Sequence, residues 1–255
     1  ERVLGMGSFG AVYEATHLRM QQRVAVKMLA PQHAARKDAV ARFEREARAA
    51  ARLRGPHVVR MIDVDSTEKG IPFLVMELLQ GQNLEDLVTS SPEPLSIARA
   101  VRFMLDVCDG VREAHAAGII HRDLKPANVL IVDDGHTAKV VDFGVSRVLD
   151  EKPITRDSEV VGTPEYMAPE QLLGGPLDHR VDQYAIGVIL YFLLTRRLPF
   201  PDHEADNATP FTVMAATLNG TPTPIEALLP DLPRELAAAI MKAIAREPSQ
   251  RTKLS

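Results

Sequence analysis

The chain holds 255 residues, 45% hydrophobic and 25% charged, the proportions of an ordinary globular protein, which excludes a disordered or fibrous chain. Its 30 basic and 34 acidic residues give a net charge of −4, without the basic excess of a nucleic-acid binder. The single cysteine, Cys108, excludes an internal disulfide, and the longest apolar run, 185–194, falls well short of the roughly 20 residues of a membrane-spanning helix.

Three runs, 2–4, 11–15 and 23–29, read as short strands joined by turns. A helix follows over 38–53, with Val40, Phe43, Ala47 and Ala50 at helical spacing and Arg and Glu on the opposite face. Residues 58–64 and 73–77 read as two further strands, split by a turn at Lys69-Gly70. Beyond Gly81 the pattern is mostly helical. Ser96 caps a helix whose predicted buried face is Ile97, Val101, Met104, Leu105, Cys108 and Val111, which makes Cys108 a core thiol rather than a reactive one. Residues 181–194 are apolar nearly all round and predict a buried helix, and Leu232, Leu236, Ile240 and Ile244 mark a late amphipathic one. The stretch 118–170 is loop-rich and crowded with His, Asp, Lys, Asn and Gly, the place to look for chemistry. Residues 201–210 predict an exposed loop. The chain starts beside a glycine-rich motif and ends without a closing signal, so the expectation is a domain of a longer protein.

The segment Gly5-Met6-Gly7-Ser8-Phe9-Gly10-Ala11-Val12 fits G-x-G-x-x-G-x-V, in which backbone free of side chains can approach phosphates. The same glycine spacing opens dinucleotide-binding units, but strand residues rather than a helix follow Gly10, and Val26-Lys27 stands where such a unit carries an acidic residue. Lys27 sits within an apolar strand and needs a partner once desolvated. Glu46, three residues after Phe43, borders the buried stripe of the following helix and is the expected partner; Glu44 is the rival. The densest motif, His121-Arg122-Asp123-Leu124-Lys125-Pro126-Ala127-Asn128, fits H-R-D-x-x-x-x-N. Fourteen residues beyond Asn128 stands Asp142-Phe143-Gly144, and Ala168-Pro169-Glu170 closes 28 residues beyond Asp142.

In this order the motifs resemble a eukaryotic-type (Hanks-type) protein kinase catalytic domain. Lys125, two residues after Asp123, and Gly162-Thr163-Pro164-Glu165-Tyr166 resemble the Ser/Thr kinases. The loop His121 to Asn128 and the tail Pro248-Ser249-Gln250-Arg251 resemble their bacterial branch. The resemblance implies an α+β, two-lobed fold in one domain, 1–255. Residues 1–79 would form an antiparallel-sheet lobe with one helix and the hinge, and 80–255 a mainly helical lobe. It implies a Ser/Thr protein kinase using ATP and Mg²⁺, with Mn²⁺ as an alternative metal; a pseudokinase scaffold is the competing reading. A small-molecule phosphotransferase on a related fold is ranked lower, because such enzymes generally lack a segment like 162–170. Protein substrates are the expected partners, with pairing of two kinase domains for trans-autophosphorylation. Neither nucleic acid nor membrane contact is expected of the domain, and the expected location is the cytoplasm.

The resemblance also assigns roles. Leu4, Gly5, Met6, Gly7, Ser8, Phe9, Gly10 and Ala11 would cover the nucleotide phosphates. Lys27, held by Glu46, would contact the α- and β-phosphates. Val12 and Ala25 above and Leu130 below would enclose adenine, whose edge would meet the backbone from Glu77 to Leu79 behind Met76. Asp142 and Asn128 offer oxygen ligands for the metal. Asp123 would orient the substrate hydroxyl, and Lys125 would neutralise charge on the γ-phosphate. His121, Phe143 and Met61 would pack between the lobes, Asp182 would hold the backbone at 121–122, and Glu170 would pair with Arg251. Arg122 would gather a phosphate on the segment 145–161, with Thr155 the first and Ser158 the second candidate site, and Asp157 a weak permanent stand-in. Thr163 is expected to bond near Asp123 and Lys125 instead.

Overall fold

A computed structural model describes residues 2–7, 10–143, 163–201 and 209–251. The N-terminal lobe is a five-stranded antiparallel sheet, ordered β1-β2-β3-β5-β4. Its strands are β1 (Val3–Gly7), β2 (Gly10–His17), β3 (Gln22–Leu29), β4 (Met61–Ser66) and β5 (Pro72–Glu77). The short helix α1 (Pro31–Ala34) leads into α2 (Lys37–Ala50), which buries Ala39, Phe43, Ala47 and Ala50 against Leu29 and Leu74. β4 starts three residues later than expected, because Val58 and Val59 pair with Val140 of the other lobe.

The second lobe is mainly helical. It contains α3 (Leu84–Ser90), α4 (Ile97–Ala116), α5 (Pro169–Leu172), α6 (Arg180–Thr195), α7 (Pro210–Asn219), α8 (Ile225–Leu228) and α9 (Arg234–Ala243). A small sheet consists of β6 (Gln82–Asn83), β7 (Val129–Val132) and β8 (Thr137–Val140), of which β7 and β8 lie within the region 118–170 read from sequence as loop-rich. Ser96 caps α4 by accepting from Arg99 N–H, as expected.

The buried face of α4 is a correction. Ala100, Phe103, Met104, Val107, Gly110, Val111 and Ala114 pack inward, while Leu105 is 60% exposed and Ile97 39%. The small residues decide the face. A Cβ on Gly110 would lie 2.6 Å from the His57 carbonyl, so only this side of α4 admits the chain that links α2 to β4. Cys108 is half-buried against the core, and burial pushes its thiol up to about 11, consistent with an inert packing role.

That linker ties the lobes together. Glu113 on α4 accepts from Arg54 N–H (2.6 Å) and Gly55 N–H (2.9 Å), Val59 N–H donates to the Val140 carbonyl (3.0 Å) and Val140 N–H to the His57 carbonyl (2.8 Å). α6 is buried along most of its length and is the axis of the lobe, packing on α4 and α9. Residues 202–208, most of the stretch read as an exposed loop, lie outside the described residues; α7 starts at Pro210, with Thr209 as its cap.

At the far end, the Arg251 side chain is fully buried and every donor group is used. It donates to both Glu170 oxygens (2.6 and 2.9 Å) and to the carbonyls of Arg180, Ala245 and Arg246, and it lies 5.0 Å from the Tyr184 ring centroid. Arg251→Met strands a carboxylate and three carbonyls, so urea unfolding should show a loss of about 3–5 kcal/mol. A loss within experimental error of zero would contradict this role.

Candidate active site

The loop after α4 and the start of β8's successor segment meet under the N-terminal sheet. Asp182 on α6 is 1% exposed and holds three donors. It accepts His121 N–H on Oδ2 (2.8 Å) and Arg122 N–H on Oδ1 (2.8 Å), and the His115 ring bonds Oδ2 at 2.7 Å. This is the role expected of Asp182; His115, on the last turn of α4, went unread. His121 is fully buried. Its Nδ1 accepts Asp123 N–H, so the ring proton sits on Nε2 and donates to the Val141 carbonyl at 3.0 Å. Arg122 (φ 65) and Asp142 (φ 62) both occupy the left-handed region that non-glycine residues rarely adopt.

Asp123, Lys125 and Asn128 converge. Asn128 donates its amide to the Asp123 carbonyl (2.7 Å) and to Oδ2 (3.2 Å), which leaves its own Oδ1 to accept or to coordinate. Lys125 Nζ lies 3.5 Å from Asp123 Oδ2 and donates to Thr163 Oγ1 at 3.3 Å, the contact expected of Thr163. His121 and Phe143 stack with ring centroids 4.9 Å apart. Met61 and Phe143 line one cavity of about 10 Å³, with Ala50, Lys27 and Asp142 also on its wall, space for roughly one water.

The partner of Lys27 is the main correction. Its Nζ lies 3.0 Å from Asp142 Oδ1, and among the described residues no ion pair joins it to Glu46. Glu46 Oε2 is instead buried without a hydrogen-bond partner. Burial pushes the Glu46 carboxyl up to about 7 against the pull of Arg122, Arg45 and Arg42, so near neutrality it is a weak competitor for an ammonium. Burial opposes ionisation of Asp142, but the adjacent Lys27 ammonium together with His121 and Lys125 outweighs it and holds that carboxyl below its usual range. The rival Glu44 is engaged on the surface with Arg48.

For the nucleotide, Val12, Ala25, Met76 and Leu79 gather in one apolar cluster with Val59 and Val141. Leu130 stands apart from that cluster, half-buried on β7 opposite Lys139. Glu77 is fixed by two contacts absent from the sequence reading: its carboxylate accepts from Lys139 Nζ (2.8 Å) and from Arg60 N–H (2.9 Å). Leu4, Gly5, Met6 and Gly7 are exposed on β1, with Ala11 half-buried opposite Met6. A Cβ on Gly10 would sit 1.9 Å from the Met28 carbonyl, whereas one on Gly5 would meet nothing within 4 Å. Gly10 is thus pressed onto β3 at Met28, and there is open space beside Gly5 on β1. Ser8, Phe9, Gly144, Asp157, Thr155 and Ser158 lie outside the described residues.

The donor set fits Mg²⁺. Among the described residues no three His, Cys, Asp or Glu side chains cluster as a closed metal cage, while Asp142 and the amide oxygen of Asn128 supply hard oxygen ligands. Mg²⁺ typically takes one or two carboxylates and completes its shell with phosphate and water.

Residues 1–255 match the family model described as "Protein kinase domain". Among curated proteins the chain is similar to Serine/threonine-protein kinase pkn3 of Myxococcus xanthus, 38% identical over 260 residues, covering 98% of this chain and 46% of that protein. It is 41% identical to Serine/threonine-protein kinase Pkn1 of the same organism, covering 98% and 35%, and 35% identical to PknB of Mycobacterium tuberculosis, covering 98% and 40%. Among solved structures, the PknI kinase domain of Mycobacterium tuberculosis superposes with a TM-score of 0.74 at 27% identity, over 98% of this chain and 89% of that one. The chain belongs to the protein kinase domain family, in its bacterial Hanks-type Ser/Thr branch. It spans less than half the length of these curated relatives.

The raised Glu46 carboxyl has a thermodynamic sign. Between its ordinary 4.5 and about 7 the folded chain holds a proton that the unfolded chain has lost, so this group's contribution to stability falls as pH rises through that window. Glu46→Gln should flatten that fall, gaining roughly 1–2 kcal/mol over wild type at pH 8 and nothing at pH 4. Urea midpoints at the two pH values read the difference; an equal gain at both would contradict it.

Proposed function

We propose that this domain transfers the γ-phosphoryl group of ATP to Ser or Thr hydroxyls of protein substrates. The observation that carries the reading is the joint placement of Asp123, Asn128, Lys125 and Thr163 on one side of the site and the Lys27–Asp142 pair on the other. Phosphoryl transfer asks mainly for positioning and charge stabilisation, and each of these groups can supply one of the two.

Asp123 accepts or orients the proton of the acceptor hydroxyl, its carboxylate held by the Asn128 amide. Lys125, bonded to Thr163, brings one positive charge to the oxygens of the transferred group. Lys27 supplies a second on the nucleotide side. Mg²⁺, when bound by Asp142 and Asn128, neutralises charge that develops between the phosphates. The apolar cluster around Ala25 and Met76 excludes water from the adenine side. Glu46 remains the second carboxylate within the upper lobe for Lys27, in a conformation distinct from the one described, and pairing there requires Glu46 to lose its proton.

The sites of self-modification proposed from sequence are Thr155, then Ser158, in a reaction between two domains. The location follows the same reading: no described helix is long and apolar enough to cross a membrane, and a cytoplasmic domain has access to ATP.

Asp123→Asn should lower peptide phosphorylation roughly 10²–10⁴-fold with ATP affinity within a few-fold of wild type. Asp142→Ala should weaken Mg-ATP binding itself. Radiolabel transfer with a peptide panel, alongside nucleotide titration, separates the two. Near wild-type turnover in Asp123→Asn, or label accumulating on small-molecule acceptors alone, would overturn the reading. Peptide fragmentation mass spectrometry after incubation with Mg-ATP should show phosphate on Thr155 ahead of Ser158; a fully active domain bearing neither would refute the self-modification proposal.

A further inference from the structure

The N–H groups at 121–123 and the Arg122 carbonyl all have side-chain partners, and one of these comes from α5. Asp182 takes the N–H groups of His121 and Arg122, and His121 Nδ1 takes that of Asp123. The carbonyl of the left-handed residue Arg122 accepts from Gln171 Nε2 at 2.9 Å. Gln171 lies on α5, immediately after Ala168-Pro169-Glu170, and its other amide atom, Oε1, accepts from Ala168 N–H at 3.1 Å.

One side-chain amide therefore joins two segments. The first is the stretch that carries Thr163, whose hydroxyl meets Lys125; the second is the turn that aims Asp123. A non-glycine residue at φ 65 is strained and persists only where its surroundings over-determine it. The two segments also enclose a cavity of about 10 Å³ lined by Arg122, Asp123, Lys125, Thr163, Gln171 and Asp182, so a shift of either would be felt in the same confined space. The fit is specific to an amide. Glutamate lacks the donor, methionine lacks both donor and acceptor, and asparagine is one methylene too short to span the same two groups.

We propose that Gln171 is a positioning residue for phosphoryl transfer. By holding the Arg122 carbonyl it sets where Asp123 stands relative to Thr163 and Lys125, and so couples the substrate-side segment to the catalytic loop. This deepens the proposed function and rests on its reading that Asp123 faces the acceptor hydroxyl.

The test compares Gln171→Met and Gln171→Glu with wild type in peptide phosphorylation, with turnover normalised to titrated ATP sites so that a partly unfolded preparation remains informative. Misplacement by about an ångström can cost roughly 10²-fold, so kcat should fall about 10–100-fold in Gln171→Met while KM for ATP stays within twofold. Gln171→Glu keeps the acceptor for Ala168 but sets a carboxylate against the Arg122 carbonyl, so its kcat should fall further. Protonation restores a donor to that carboxyl, so its kcat relative to wild type should rise as pH falls from 8 to 5.5. Arg122, Asp123, Lys125 and Asp182 face the same cavity in both proteins, so the ratio to wild type isolates the group at 171. Turnover within twofold of wild type in both variants, or a loss of ATP affinity in proportion to kcat, would overturn the proposal. Asp123→Asn run in parallel separates the two levels: activity surviving there defeats the functional reading itself, whereas its loss with unaffected Gln171 variants defeats only the positioning role.

Discussion

A buried carboxylate, Asp182, is the constraint on which the site depends. At 1% exposure an ionised group is tolerated only when hydrogen bonds replace its water, and here two backbone N–H groups and the His115 ring do so. The same bonds keep Arg122 in a left-handed conformation it would otherwise leave. With 121 and 122 fixed, His121 can bridge to the Val141 carbonyl, and the segment leading to Asp142 is placed against the loop that carries Asp123. α6, which bears Asp182, is itself immobilised by burial along most of its length. The hydrophobic core thus reaches the polar site through one side chain.

The upper lobe meets this rigid base through the charge pairs of Lys27 with Asp142 and of Glu77 with Lys139, and through a linker. Lys27 is paired with Asp142 rather than with Glu46, and in this arrangement the two carboxylates differ in acidity. Burial keeps Glu46 partly protonated, while Lys27 keeps Asp142 ionised, so each state reinforces the other. The linker between α2 and β4 is bonded to Glu113 and Val140 of the lower lobe, whereas α2 packs on the sheet. Any movement of Glu46 relative to Lys27 therefore has its fixed point at residues 54–59.

Much of this was legible in the sequence, and the boundary of legibility has physical causes. Asp123, Asn128, Asp142 and the Glu170–Arg251 pair were readable because their motifs resemble those of the kinase family, and Asp182 because a carboxylate on a buried helix must find partners. The strands β7 and β8, four residues each, were hidden because so short a run carries no clear period. The face of α4 was misread because Ile97, Val101, Leu105 and Cys108 form a second apolar stripe, while the true contact side is marked by Ala100, Gly110 and Ala114, whose smallness rather than hydrophobicity lets another backbone approach. Lys27's partner was misread for a different reason: sequence names the available carboxylates but not which is desolvated. Gln171 and His115 carry no signal of their own, because each acts on a backbone or buried group that only the fold brings near.

The central claim is that the Asp182 anchor sets catalytic geometry rather than merely stability. Turnover of Asp182→Asn at saturating ATP, normalised to folded protein, tests it most directly. Asparagine keeps the shape but replaces one acceptor oxygen with a donor that repels a backbone N–H. The account predicts a fall in kcat of about 10²-fold, with ATP affinity within a few-fold of wild type. A folded Asp182→Asn domain that turns over at the wild-type rate would contradict it.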